Sequence, residues 1–190
     1  MTVLIGRNVR LRPLEEGDLP VYQRIYGSPV LTRYLGVDRM TAEKATAAFY
    51  TPSPRKLVFA ITSHDDDTMA GMIGLLLEEY GSNAMCTGLV ILPGSPLKGC
   101  GSEAGRLLFA HAFGQLGIHR VWAGHRSDHG LMSGVMTGAG LEPEATLREL
   151  FHTQGRWHDV TTYAAVEHRW REQASPEELA IMRGAVLSRS

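Results

Sequence analysis

Cysteine is scarce in this chain: Cys86 and Cys100 are the only two among 190 residues. They have no metal-ligand spacing, and a secreted chain of this size more often uses several disulfides, so free thiols and no metal site are expected. Long apolar runs are lacking too. None approaches the roughly 20 residues that cross a bilayer, and Met1 to Gly6 has neither the basic start nor the apolar stretch of a signal peptide. A cytoplasmic protein with no membrane partner is expected. Charge of one sign is missing as well, since the formal net charge is -1. That balance leaves no basic field over a whole face and excludes broad nucleic-acid binding. Internal repeats and low-complexity segments are absent.

What the chain does have is a hydrophobic fraction of 44%, enough for one well-buried domain. Its most informative stretch runs from Pro93 to Ala104, with Lys98-Gly99-Cys100-Gly101-Ser102 at its centre. The apolar run Gly88 to Leu92 before it predicts a buried strand. After it, Leu108, Phe109, Ala112, Phe113 and Leu116 recur at helical spacing up to Gly117. The loop is therefore a strand-to-helix turn whose amides meet the positive end of a helix dipole, which suits phosphate, with Lys98 adding charge at the rim. The same glycines serve equally in a tight turn that needs positive φ.

Around that loop, Val9 to Pro13 reads as an edge strand stopped by proline, and Glu15 to Tyr26 as an amphipathic helix ended by Gly27-Ser28-Pro29. Residues 30–40 read as mixed and loop-like. Thr41 and Glu43 open a second helix. Strands are predicted around Leu57 to Ile61, Met69 to Leu77 and Met85 to Leu92, then Arg120 to His125 after the central helix. Glycine weakens the helix expected over Leu131 to Thr137. Leu147 to Phe151 and Trp157 to Val166 pair as a hairpin about Gln154-Gly155. Ser175-Pro176-Glu177-Glu178 starts a last helix, whose stripe of Leu179, Met182 and Val186 needs cover from this chain or from a twin in a homodimer.

This order of elements resembles the GNAT acyltransferases, and within them the ribosomal-protein N-terminal and spermidine-type acetyltransferases. Four segments carry the resemblance: Val9 to Leu14 with Asp18, Ser28 to Leu35, Lys98 to Ala104, and Gly155 to Val160. It implies an α+β fold, a mixed and mostly antiparallel sheet of about seven strands flanked by helices. The domain would cover residues 1–166, with 167–190 as a C-terminal helical extension. It further implies acetyl-CoA, or another acyl-CoA, as co-substrate and an amine as acceptor, with direct attack on the thioester and no metal. Val90, Ile91 and Leu92 would lie along the thioester, and Leu97, Lys98, Gly99, Cys100, Gly101 and Ser102 would hold the pyrophosphate.

The chain also departs from the family pattern. Pro96 stands at the first position of the Q/R-x-x-G-x-G/A signature, and His129, Met132 and Met136 stand where the family usually has Asn, Ser and Tyr. A thioether has no acidic hydrogen to give a leaving thiolate. Cys86 stands where relatives often carry an amine-activating Glu.

His125 and His129, with Asp128 beside them, are substitutes for proton transfer or ordinary strand-end residues. Tyr34, Glu78, Glu79 and Tyr80 are the acceptor-side candidates, the carboxylates either attracting a cationic amine or capping a solvated hairpin. Cys100, at a helix start, is either a reactive thiol or a small loop filler. Three functions remain open: an N-acyltransferase for a small amine or peptide N-terminus, a GNAT-fold protein that binds CoA or another ligand without efficient transfer, or a site reused for a different acyl donor or reaction.

Overall fold

Alternating apolar side chains build the centre of the molecule. The computed structural model describes residues 2–51 and 53–184. Its strands are β1 (Leu4–Ile5), β2 (Arg10–Pro13), β3 (Lys56–Thr62), β4 (Gly71–Leu77), β5 (Asn83–Ile91), β6 (Arg120–Arg126), β7 (Glu142–Thr153) and β8 (Arg156–Val166). They form one sheet in the order β1-β2-β3-β4-β5-β6-β8-β7. Every neighbouring pair is antiparallel except β5 with β6. The helices are α1 (Leu19–Gly27), α2 (Pro29–Thr32), α3 (Ala42–Tyr50), α4 (Gly101–Gln115), α5 (Gly130–Gly138), α6 (Glu167–Glu172) and α7 (Pro176–Met182).

Successive side chains of a strand face opposite ways, so the sheet buries two faces. Ile73 and Leu75 pack with Leu108, Phe109 and Phe113 of α4, while Met72 and Val90 pack with Tyr22, Ile25 and Tyr26 of α1 and Ala45 of α3. The α+β fold is as expected, with eight strands rather than about seven. The two-residue β1 is too short to leave a periodic signal; it takes the edge and moves β2 one place inward. Residues 30–40 are not all loop either. Ser28 ends α1 and also caps α2, its Oγ accepting from Leu31 N–H with Pro29 at the first helical position.

The last helix covers its stripe within this chain. Ile181 and Met182 join the α4 core, Gln115 Nε2 donates to Met182 O at 2.8 Å, and a Cβ at Gly114 would overlap the Met182 backbone. That packing removes the helix as an argument for a twin subunit. Val186, the far end of the expected stripe, lies outside the described residues.

Candidate active site

Between β5 and β6 the sheet opens. Their parallel pairing holds at Asn83↔Arg120, Ala84↔Val121 and Met85↔Trp122 and goes no further. On the other side of β5 the register with β4 shifts between Met72 and Gly74, and Gly88 takes φ +63. A bulge with a left-handed glycine bends a strand and increases its twist, so β5 turns away from β6. The gap is a cavity of about 320 Å³ walled by Cys86 to Ile91, Trp122, His125, His129, Met132 and Met136. Leu150 and Phe151 close another side. A second irregularity puts them there: the β7–β8 register shifts between Leu147 and Phe151, with Glu149 at φ +50.

Backbone donors line this gap and its floor. Leu92 N–H donates to Ala70 O at 2.8 Å, so strand alternation turns the Val90 amide toward β4 and the Ile91 amide toward the gap. Of the three residues expected along the thioester, only Ile91 has its amide open on that side.

In the glycine loop, Leu97 N–H donates to Ser95 Oγ, Lys98 N–H to Ser95 O and Cys100 N–H to Leu97 O. The amides of Gly99, Gly101, Ser102 and Glu103 have no partner among the described residues. Those four N–H groups at the start of α4 are what an anion would meet. Leu97 belongs to the core instead, and the Glu103 carboxylate is engaged by Asn8 N–H and Nδ2, each at 2.8 Å. Gly94 and Gly99 are the loop residues with positive φ, +82 and +93. Gly101 is glycine for another reason, since a Cβ there would press on Val135 at 3.2 Å.

The titratable side chains converge at the end of β6. His125 is buried, and its Nδ1 lies 2.8 Å from Arg126 O, a carbonyl that can only accept. Nδ1 therefore carries the hydrogen, and Nε2 is left as the basic nitrogen. Ser133 Oγ, on α5, stands 3.4 Å from that Nε2 as a long donor. His129 stacks on Tyr34, ring centroids 3.9 Å apart, and meets the His125 ring edge-on at 6.4 Å. Burial first, then repulsion from His125, lowers the His129 pKa below its ordinary value, so its ring is neutral near pH 7. Asp128 is taken up by a bidentate pair with Arg126, at 3.0 and 2.5 Å.

Three expectations need correction on this geometry. Cys86 does line the gap, but burial pushes its thiol up to about 12, so it is neither base nor thiolate near neutral pH. Burial and the Glu103 carboxylate likewise push the Cys100 thiol up, against the reactive-thiol reading. Glu79 pairs with Arg55 at 2.9 Å and Tyr80 is exposed at the outer hairpin, so neither is brought to the gap. Glu78 reaches it only indirectly, accepting from Trp122 Nε1 at 2.6 Å. Ser133 was missed: it stands four residues after His129, one place beyond the position where the family usually has serine.

A family model described as an acetyltransferase (GNAT) domain matches residues 8–142, well over half of the chain. The chain belongs to the GNAT acetyltransferases. This GNAT protein is 23% identical over 165 residues to an uncharacterized N-acetyltransferase, YoaA, of Bacillus subtilis, covering 84% of this chain and 93% of that protein. Its fold matches spermidine N-acetyltransferase from Vibrio cholerae, solved with CoA and spermine. The TM-score there is 0.77 at 17% identity, over 86% of this chain and 98% of the other. It also matches RimL, a ribosomal-protein alpha-N-acetyltransferase solved with coenzyme A, with a TM-score of 0.75 at 16% identity, over 88% and 99%. Among the described residues of the GNAT protein, no group of three or more His, Cys, Asp or Glu side chains is placed to hold a metal, and no helix is long and apolar enough to cross a membrane.

Proposed function

We propose that this GNAT N-acetyltransferase transfers the acetyl group of acetyl-CoA to a primary amine, on a small molecule or a peptide N-terminus, by direct attack in a ternary complex. The observation that carries the reading is the gap between β5 and β6 ending beside four unpartnered amides at the start of α4. Those amides fit a pyrophosphate, with Lys98 at the rim, and the Ile91 N–H is placed to polarise the thioester carbonyl.

Acetyl-CoA supplies an activated acyl group; the chain supplies position and proton transfer. As the amine nitrogen bonds to the acetyl carbon and the C–S bond breaks, His125 Nε2 takes the proton that nitrogen loses. The same proton returns through the Ser133 hydroxyl to the departing sulfur, which balances the reaction. This path offers what Met132 and Met136 cannot, and so favours transfer over binding alone. Tyr34 and the neutral His129 form the wall on the acceptor side.

Binding is tested apart from turnover. A ligand at about a hundred times its dissociation constant stabilises the folded state by about 2.7 kcal/mol. For a domain near this length each kcal/mol moves the midpoint by roughly 2 to 4 °C, so saturating CoA should raise it by about 5 to 10 °C. Lys98→Glu should remove much of that shift: the exposed side chain stands at the rim of the free amides, and reversing its charge asks for no left-handed backbone, whereas any side chain at Gly99 is strained at φ +93. Gly101→Asp is the poorer probe because its Cβ turns inward onto Val135 and Leu89. No shift with CoA or acetyl-CoA in the unmodified protein refutes the proposal.

A further inference from the structure

Beyond the acceptor side of the gap lies a second, wider groove of about 760 Å³. Arg33, Arg39, Arg126 and Arg156 line it, with His158 and one acidic side chain, Asp38. Its cations are poorly neutralised. Arg126 is paired with Asp128 and donates to Arg33 O, but Arg33, Arg39 and Arg156 have no carboxylate partner among the described residues. Asp38 is used structurally, accepting from Gln154 N–H at 2.9 Å and so tying residues 33–39 to the β7–β8 turn.

The groove is continuous with the reaction site. Val30 lines both cavities, and the guanidinium carbons of Arg33 and Arg126 each lie 5.2 Å from the Tyr34 ring centre, the ring that stacks on His129. A molecule whose amine reached His125 would therefore extend over three unpaired guanidinium groups. Guanidinium forks match carboxylate and phosphate oxygens, and in a chain of net charge -1 a local cluster of this sign attracts anions and repels polycations.

We propose that the groove selects an anionic acceptor: an amine carried on a molecule with one or more carboxylates or phosphates, recognised by Arg33, Arg39 and Arg156. This rests on the transferase reading for which end of the acceptor reacts. It reverses the sign expected from Glu78 and Glu79, of which Glu79 is paired with Arg55 and Glu78 reaches the gap only through Trp122, and it disfavours polyamines such as the spermine bound by the Vibrio neighbour.

The test is calorimetry on the full chain, with and without saturating CoA, using matched amines. The pairs are an Ala-Glu-Glu-Glu peptide against amidated Ala-Gln-Gln-Gln, and O-phosphoethanolamine against ethanolamine, with spermidine as the cationic arm. At least one anionic member should bind about tenfold tighter than its neutral match, as expected of two exposed ion pairs near their upper range. Salt should erode that preference. Which pair shows it distinguishes carboxylate from phosphate. Arg33→Gln with Arg156→Gln should abolish the preference while leaving the CoA heat intact, and Arg24→Gln on the outer face of α1 should change neither.

Equal affinity within both pairs, tighter binding of spermidine, or no heat from either anionic probe overturns the proposal. CoA heat with no anion preference removes the groove's role alone; anion preference without CoA heat removes the transferase reading alone.

Discussion

His125→Ala should lower kcat by about two to four orders of magnitude, the range for losing a positioned general acid–base group. The KM for acetyl-CoA should hardly move, because His125 lies on β6, away from the α4 amides. The argument is geometric. With Nδ1–H committed to Arg126 O, the ring presents one nitrogen, Nε2, in one orientation, beside Ser133. Ser133→Ala should cost less, since at 3.4 Å its hydroxyl orients and relays rather than holds.

His129→Ala should act mainly on acceptor KM, through the lost stacking on Tyr34. The pH profile separates the two histidines. His129 has a lowered pKa, so it is neutral above that value and gains charge only as pH falls through it, and its charging contributes an acid limb below the ordinary imidazole value. His129→Ala should remove that limb; His125→Ala should lower the whole profile. Unchanged turnover in both single variants and in the double variant would leave proton transfer to solvent and end the assignment.

Much of this architecture was legible in the chain because it is written in local patterns. Alternation of Leu57, Phe59 and Ile61 marked β3, the apolar stretch Met69 to Leu77 contained β4, and Gln154-Gly155, both at positive φ, marked the β7–β8 hairpin. The glycine loop announced a strand-to-helix anion site. The site itself depends on departures from regularity that carry no period. Gly88 looked like one more residue of an apolar run, yet its φ of +63 belongs to the bulge beside the gap. Glu149 gave no glycine signal at all for the bulge that brings the half-exposed Leu150 and Phe151 to the gap.

Which of Val90, Ile91 and Leu92 shows its amide to the gap follows from pairing with β4, which the segment alone does not specify. Ser133 was hidden because its helix is flanked by Gly130 and Gly138 and it stands between Met132 and Gly134, one place past the position where the family usually has serine. The arginine groove joins Arg33 and Arg39 to Arg126 and Arg156, residues distant in sequence that meet only when the β7–β8 turn closes on residues 33–39.

Trp170→Ala should cost about 3 to 5 kcal/mol of stability, the range for emptying a fully buried aromatic site. At roughly 2 to 4 °C per kcal/mol, the melting midpoint should fall by about 6 to 20 °C. Trp170 on α6 is fully buried; its Nε1 donates to Ala139 O at 2.9 Å, and its ring packs on Phe113 at 5.4 Å. The Arg106 guanidinium lies 5.0 Å from the same ring and forms a two-pronged pair with Glu178, at 2.5 and 2.7 Å. Glu178 also completes a capping box with Ser175 at the start of α7. One arginine of α4 thus ties α6 and α7 to the helix whose N-terminus carries the free amides.

We propose that residues 167–184 fold in one cooperative step with the sheet instead of forming a separable extension. A chain ending at Val166 exposes the α4 surface that Trp170, Ile181 and Met182 cover, and it should lose both its melting transition and CoA binding. If that shortened chain melts within a few degrees of the intact protein and still binds CoA, the C-terminal helices are an appendage and the cooperative account fails.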